Sequence, residues 1–315
     1  MKAETLPSDQ VFAHSVFLGY LSKGKLDAAM NYLRQFPQQS PLYSRYASLF
    51  EEESYLSYDV DAELNEILLV YQKYYRDAFY LRLSPEEAAR KLGGRLADVL
   101  GAEPELPLER LEEQAADAFR RQSLHVLTGR TSGWFGPYIW RDEALREYAV
   151  ELPEGRRNYT VKFLDGFVMK SWLDYISFGA SGTGGWSNGD GLIHCVKSSY
   201  DLDSENFRVS LLKHEAQHAA DLERYPGISS EDLEYRAKLV ELIYSRERPL
   251  LERFLLQADA SLAGNGHALA AGRIVRGFEA RLGRRLDGPL SPEEVRSVSL
   301  ELFQASGKEL AERYG

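Results

Sequence analysis

Apolar residues recur at helical spacing through most of the first third of the chain. Lys25 to Phe36, KLDAAMNYLRQF, places them three and four apart and stops before Pro37, where helical backbone is disfavoured. Asp59 to Tyr80, DVDAELNEILLVYQKYYRDAFY, keeps the same period over several turns. Ser84-Pro85-Glu86-Glu87 combines a capping serine, a proline at the first helical position and a glutamate three residues after the cap. It predicts a helix through Ala88 and Leu92 toward Leu100, in spite of Gly93-Gly94. Ser291-Pro292-Glu293-Glu294 repeats that start signal near the C-terminus, but the residues that follow do not match, so the cap is shared without an internal repeat. No period of about 34 residues recurs, which disfavours a helical repeat array.

Between about residues 133 and 200 the pattern shortens. Glu147 to Leu152 (EYAVEL), Asn158 to Phe163 (NYTVKF) and Gly191 to Val196 (GLIHCV) are strand-like runs, with a turn at Pro153-Glu154-Gly155. Gly182 to Gly191, GTGGWSNGDG, is dense in glycine, and its Asn188-Gly189 signals a tight hairpin. From Asp203 the helical period returns, with Phe207, Leu211 and Leu212 leading into LLKHEAQHAAD at 211–221. The expected fold is α+β and mainly helical. A helical N-terminal region over 1–127 precedes a domain over 128–315 that carries a small sheet and the helix of that motif.

Composition narrows the partners. With 315 residues, 44% hydrophobic and 27% charged, the chain has the balance of a soluble globular protein. A net charge of -10, with basic residues gathered only in short runs such as Arg281-Leu282-Gly283-Arg284-Arg285, argues against a nucleic-acid partner. No segment approaches the roughly 18 consecutive apolar residues of a membrane span. Glu4 and Asp9 interrupt the N-terminus where a secretory signal would be apolar, so a cytoplasmic location is expected unless a leader has been removed. Cys195 is the sole cysteine, which excludes an intrachain disulfide and a multi-cysteine zinc cluster.

The motif carries the chemistry. On a helix, His214 and His218 stand about 6 Å apart along the axis and about 40° around it, so both reach one ion. Two imidazoles suit zinc, a third protein ligand completes the holding set, and one position stays open for water. Glu215 flanks that position and can take the water's proton. Lys213, Gln217, Asp221, Glu223 and Arg224 would equally suit an ordinary solvated helix, whereas Ala216, Ala219 and Ala220 let a neighbouring element approach closely. A third histidine is excluded, because Asp221 and Arg224 stand where H-E-x-x-H-x-x-G-x-x-H needs Gly and His. Glu234, sixteen residues past His218 in a serine-capped helix over 229–244, is the first candidate for third ligand, with Glu231 and Glu241 as rivals. Asp221, seven residues after His214, falls near the ligand face and is a candidate to orient a ligand.

HEAQH at 214–218, Glu234 in LEYRA at 233–237 and the segment GTGGWSNGDGLIHCV at 182–196 together resemble the gluzincin, or thermolysin-like, branch of zinc metallopeptidases. The resemblance covers roughly 150–275. It implies a zincin-like catalytic domain binding one Zn2+, a peptide or protein substrate, and hydrolysis by water with Glu215 as general base. It further implies a sheet edge at Gly184, Gly185 and Trp186 that pairs with extended substrate. It also implies an oxyanion donor downstream of the third ligand: His267, within Gly264-Asn265-Gly266-His267-Ala268, with Tyr244 as the second candidate. GTGGW lacks the glutamate of related aminopeptidases, which favours an endopeptidase. Two other readings stand beside this one: a non-catalytic zincin-like metal-binding interaction protein, and a cysteine nucleophile at Cys195. Against the latter, His194 and Cys195 point to opposite faces of a strand.

Overall fold

A computed structural model describes residues 11–187, 191–246, 249–258 and 266–314. Helices α1 (His14–Ser22), α2 (Leu26–Leu33), α3 (Ser40–Tyr46), α4 (Ala62–Tyr75), α5 (Pro85–Leu100) and α6 (Leu108–Arg121) come first. Strands β1 (His125–Leu127), β2 (Arg130–Thr131), β3 (Trp134–Phe135), β4 (Tyr138–Trp140), β5 (Asp142–Leu152), β6 (Gly155–Asp165) and β7 (Met169–Lys170) follow. After α7 (Ser171–Ile176) come β8 (Gly185–Ser187) and β9 (Leu192–Val196). The chain then runs through α8 (His214–Arg224), α9 (Ser230–Tyr244), α10 (Leu250–Gln257), α11 (Gly266–Leu282) and α12 (Pro292–Tyr314). The fold is α+β, mainly helical, with small sheets.

The chain divides into two compact units, Met1–Asp142 with Gly166–Thr183, and Glu143–Asp165 with Gly184–Gly315. This differs from the contiguous division at 127/128 read from the sequence. The reason lies in side chains. Phe135, Ile139, Met169, Trp172, Tyr175 and Ile176 are buried in the same core as the first helices. Tyr46 donates to the Ile176 carbonyl at 2.8 Å, and Tyr175 donates to Gln72 Oε1 at 2.8 Å. The antiparallel sheet β1-β4-β7 and helix α7 are therefore part of the helical unit. Its start signals act as read: Ser84 Oγ accepts the Glu87 N–H at 3.2 Å and caps α5.

The second unit is built on a four-stranded sheet in the order β5-β6-β9-β8. β5 and β6 are joined through the turn at Pro153 and Glu154, β6 and β9 run parallel, and β8 closes the sheet antiparallel to β9. Asn188 and Gly189, where a tight hairpin is expected, lie outside the described residues. One sheet face, carrying Val150, Tyr159, Val161, Phe163, Ile193 and Cys195, shares a core with Phe207, Leu211, Ala216, Leu239, Ile274 and Phe278 from the helices. Residues Asn206–Lys213 are wound more widely than an α-helix, with the i to i+5 bonds of a π-helix, and continue directly into α8. At α12 the capping box is reciprocal: Ser291 N–H donates to Glu294 Oε2 at 2.9 Å and Glu294 N–H to Ser291 Oγ at 3.2 Å.

Candidate metal centre

The motif helix α8 is held against the sheet by small residues and one long tether. Ala216, Ala219 and Ala220 are buried, and Tyr159 of β6 donates from its hydroxyl to the Ala216 carbonyl at 2.9 Å. On the other flank α8 packs against α9, reached through the short segment around Gly227. Gly227 takes φ +88°, a left-handed conformation that glycine adopts without strain. Ser229 caps α9 by accepting the Asp232 N–H at 3.1 Å. These constraints turn the first two turns of α8 toward the first two turns of α9.

His214, His218 and Glu234 meet there, each offering one ligand atom within 4.8 Å of the others. His214 Nε2 lies 3.5 Å from Glu234 Oε2, and His218 Nε2 lies 3.8 Å from Glu234 Oε1. Ligand atoms about 2.05 Å from a tetrahedral ion stand about 3.3 Å apart, so small adjustments bring this set around one cation. His214 is 7% exposed and Glu234 9% exposed, so neither contact is a loose surface pair. His218 Nε2 is buried without a hydrogen-bond partner, the state expected of a nitrogen reserved for a metal. No comparable group of three appears elsewhere among the described residues.

No family model, no curated protein and no solved structure matches the chain. The rival candidate Glu241 has a different place from the one sequence reasoning offered it. Its Oε1 lies 2.8 Å from His214 Nδ1, and because an ionised carboxylate only accepts, Nδ1 carries the proton and Nε2 is left to ligate. The signal for this was present in the spacing: Glu241 is seven residues past Glu234, two turns along the same helical face. Burial alone depresses the His214 imidazolium, but hydrogen bonds to Glu234 and Glu241 outweigh it and hold its pKa well above the ordinary value. Burial pushes Glu241 and Glu234 up, and their contacts with His214 reverse that, leaving both carboxyls below the usual range.

Glu215 is buried beside the pair, its Oε2 3.4 Å from His218 Nδ1. Burial raises its carboxyl, the neighbouring histidines lower it by more, and it stands ionised at neutral pH. His267 opens α11 with its ring largely exposed and Nδ1 2.7 Å from Glu234 Oε2, so the structure brings it to the cluster. Gly264 and Asn265, which precede it in the expected segment, lie outside the described residues. Glu231 belongs to the first turn of α9 and does not enter the cluster.

Two expected site residues are placed elsewhere. Tyr244 is the last residue of α9, ten past Glu234 and so about 15 Å along the axis; its ring lies under the Lys213 ammonium at 3.9 Å. The Asp221 carboxylate turns to Arg236, whose Nε donates to Oδ2 at 2.8 Å, instead of supporting a ligand. A charged group at the wholly buried Asp221 position needs a cationic partner, and α9 supplies one.

Gly184, Gly185 and Trp186 lie at the sheet edge, where β8 packs against α8. The Val196 N–H donates to the Gly184 carbonyl at 2.8 Å, which makes Gly184 and Val196 a hydrogen-bonded pair. By antiparallel alternation the N–H and C=O of Gly185, opposite Cys195, point away from β9, to the outer side of β8. A Cβ at Gly185 would lie 2.3 Å from Leu211 Cδ1 and 2.5 Å from the His194 carbonyl oxygen, so only glycine fits. Trp186 stacks on His194, ring centroids 4.8 Å apart. Cys195 points into the core, and burial pushes its thiol up to about 12, which removes it as a nucleophile.

Proposed function

We propose that the second unit is a zincin-like zinc metallopeptidase that hydrolyses peptide bonds within polypeptide substrates. The carrying observation is that His214, His218 and Glu234 converge at near-tetrahedral spacing beside an ionised, buried Glu215. Two neutral nitrogens and one carboxylate form a donor set suited to Zn2+, and His214 is fixed in the ligating tautomer by Glu241. When bound, the ion supplies Lewis acidity to a water molecule and to the scissile carbonyl.

The chain's own groups perform the proton chemistry. Glu215 accepts a proton as the water oxygen bonds to the carbonyl carbon, then returns it to the amide nitrogen as the C–N bond breaks. The water's second proton passes from the new carboxyl to the leaving amine, so the products are a carboxylate and an ammonium group. His267, whose Nδ1 lies 2.7 Å from Glu234 Oε2, would donate to the carbonyl oxygen as charge develops there. An extended substrate adds alongside β8 and bonds to the backbone of Gly185, which fixes its direction relative to the site.

Glu215→Gln tests this. The variant is expected to keep stoichiometric zinc while cleavage of a peptide library falls by about 10² to 10⁴. Full cleavage by the variant would remove the mechanism. Stoichiometric zinc without cleavage by the parent, under broad conditions, would favour a non-catalytic metal-binding protein.

A further inference from the structure

Arg236 is fully buried two residues beyond the ligand Glu234, and Asp221 is fully buried three residues beyond the ligand His218. Their side chains meet one helical turn below the metal cluster, Arg236 Nε donating to Asp221 Oδ2 at 2.8 Å. The guanidinium does more than pair. Nη1 donates to Ser306 Oγ at 3.1 Å and to the Phe303 carbonyl at 3.3 Å, both on α12. Nη2 lies 3.4 Å from Glu154 Oε1 in the β5–β6 turn, and the guanidinium plane covers the Phe303 ring at 4.0 Å. One side chain of α9 thus engages α8, α12 and the turn between β5 and β6, and none of these contacts is a metal ligand.

Such a placement is costly as simple packing. A buried ion pair loses hydration on both sides, and an apolar pair of similar volume is often as stable or more so. Burial raises the Asp221 carboxyl even with Arg236 beside it. What an apolar pair does not supply is direction: a planar fork with fixed donors sets both the separation of two helices and their rotation about their axes. The ligands need that. His214 and His218 on α8 and Glu234 on α9 share an ion only if the two helices hold their relative position to a fraction of an ångström.

We infer that Arg236 is a positioning residue, whose bond to Asp221 and anchorage on α12 set the spacing and rotation of the two ligand-bearing helices and thereby the affinity for metal. The inference rests on the reading that His214, His218 and Glu234 hold an ion. Its test is Co2+ titration of the metal-free full chain, followed by the visible absorption of the bound ion, at a temperature where circular dichroism shows each protein fully folded. The double variant Asp221→Leu with Arg236→Met replaces the pair with apolar side chains. It is expected to stay folded while Co2+ affinity drops about tenfold or more and the absorption bands shift. Unchanged affinity and bands in the folded double variant would overturn the inference.

Should the double variant fail to fold, Arg236→Lys decides. It retains the charge opposite Asp221 but loses the fork onto Ser306 and Phe303. Weaker Co2+ binding, at least threefold with altered bands, supports the inference, and parental binding overturns it. Absence of Co2+ binding by the parent is a separate result, one that removes the metal-centre reading itself.

Discussion

At the scale of single residues, the motif helix supplies two candidate ligands and a candidate base, but the state of those groups is set by residues on the next helix. Glu241 keeps a proton on His214 Nδ1, and Glu234 with Glu241 holds the metal-free ring as the imidazolium, with a second proton on Nε2. A cation must displace that proton. With the His214 pKa raised above its ordinary value, the apparent zinc affinity is expected to climb about tenfold per pH unit between pH 6 and 8, as one proton is released per ion bound. Competition titrations with a chelator at pH 6, 7 and 8 measure this, and a flat profile would contradict it. His214, Glu215 and His218 were legible in the sequence because helical spacing places them together without knowledge of the fold, whereas Glu234, on the next helix, stood there only as the first of three candidates beside Glu231 and Glu241. The fate of Asp221 was not, since a residue seven past His214 on the same face is equally suited to a ligand or to a cation, and Arg236 declares itself only when the two helices pack. Tyr244 was misplaced for a related reason: proximity in sequence to Glu234 became about 15 Å along a straight helix.

At the scale of elements, the runs with clear periodicity and caps form where they were read. α5 and α12 start at their Ser-Pro signals, α9 at Ser229, β5 and β6 contain the first two strand-like runs, and β9 takes in the third except for Gly191. The π-helical winding of Asn206–Lys213 left no comparable trace, because its apolar residues satisfy an α-helical period equally well. β8 is only three residues long and glycine-led, so its identity as a strand rests on pairing with β9 and not on its own propensity. That pairing makes Gly185 sensitive. Gly185→Ala would drive Cβ against Leu211 and the His194 carbonyl oxygen, and the backbone atom has no room to yield. The variant is expected to lose about 1–3 kcal/mol in urea unfolding. A parental midpoint would show that the edge strand is not packed as closely as described.

At the scale of the whole molecule, the two compact units are not the contiguous stretches read from the sequence. The helical N-terminal region recruits β1, β4, β7 and α7 through aromatic side chains that the sequence scatters over more than a hundred residues, and such long-range partners have no local signal. The helical unit also carries a buried acid. Glu112 is 4% exposed, and burial pushes its carboxyl up from 4.5 to about 7 in spite of bonds from the Gly129 backbone and the Tyr71 hydroxyl. A carboxyl raised in the folded state binds its proton more tightly there, so this stabilising contribution is complete below about pH 4.5 and is lost as pH rises through about 7. The difference is on the order of 3 kcal/mol. Glu112→Gln is expected to be the more stable protein at pH 8 and to lose its advantage toward pH 5, as read by denaturant midpoints. A constant difference across that range would contradict the assignment.

The claim on which the functional reading depends is that one divalent cation is held from consecutive turns of α8 and from α9. Zinc content per chain, determined by elemental analysis after reconstitution and exhaustive dialysis, addresses it directly when the parent and His218→Ala are compared. The expected result is one zinc per parent chain and less than about a tenth of that in the variant, because the loss of one of three ligands leaves too weak a site to survive dialysis. A parent that retains no zinc, or a variant that retains a full equivalent, would contradict it.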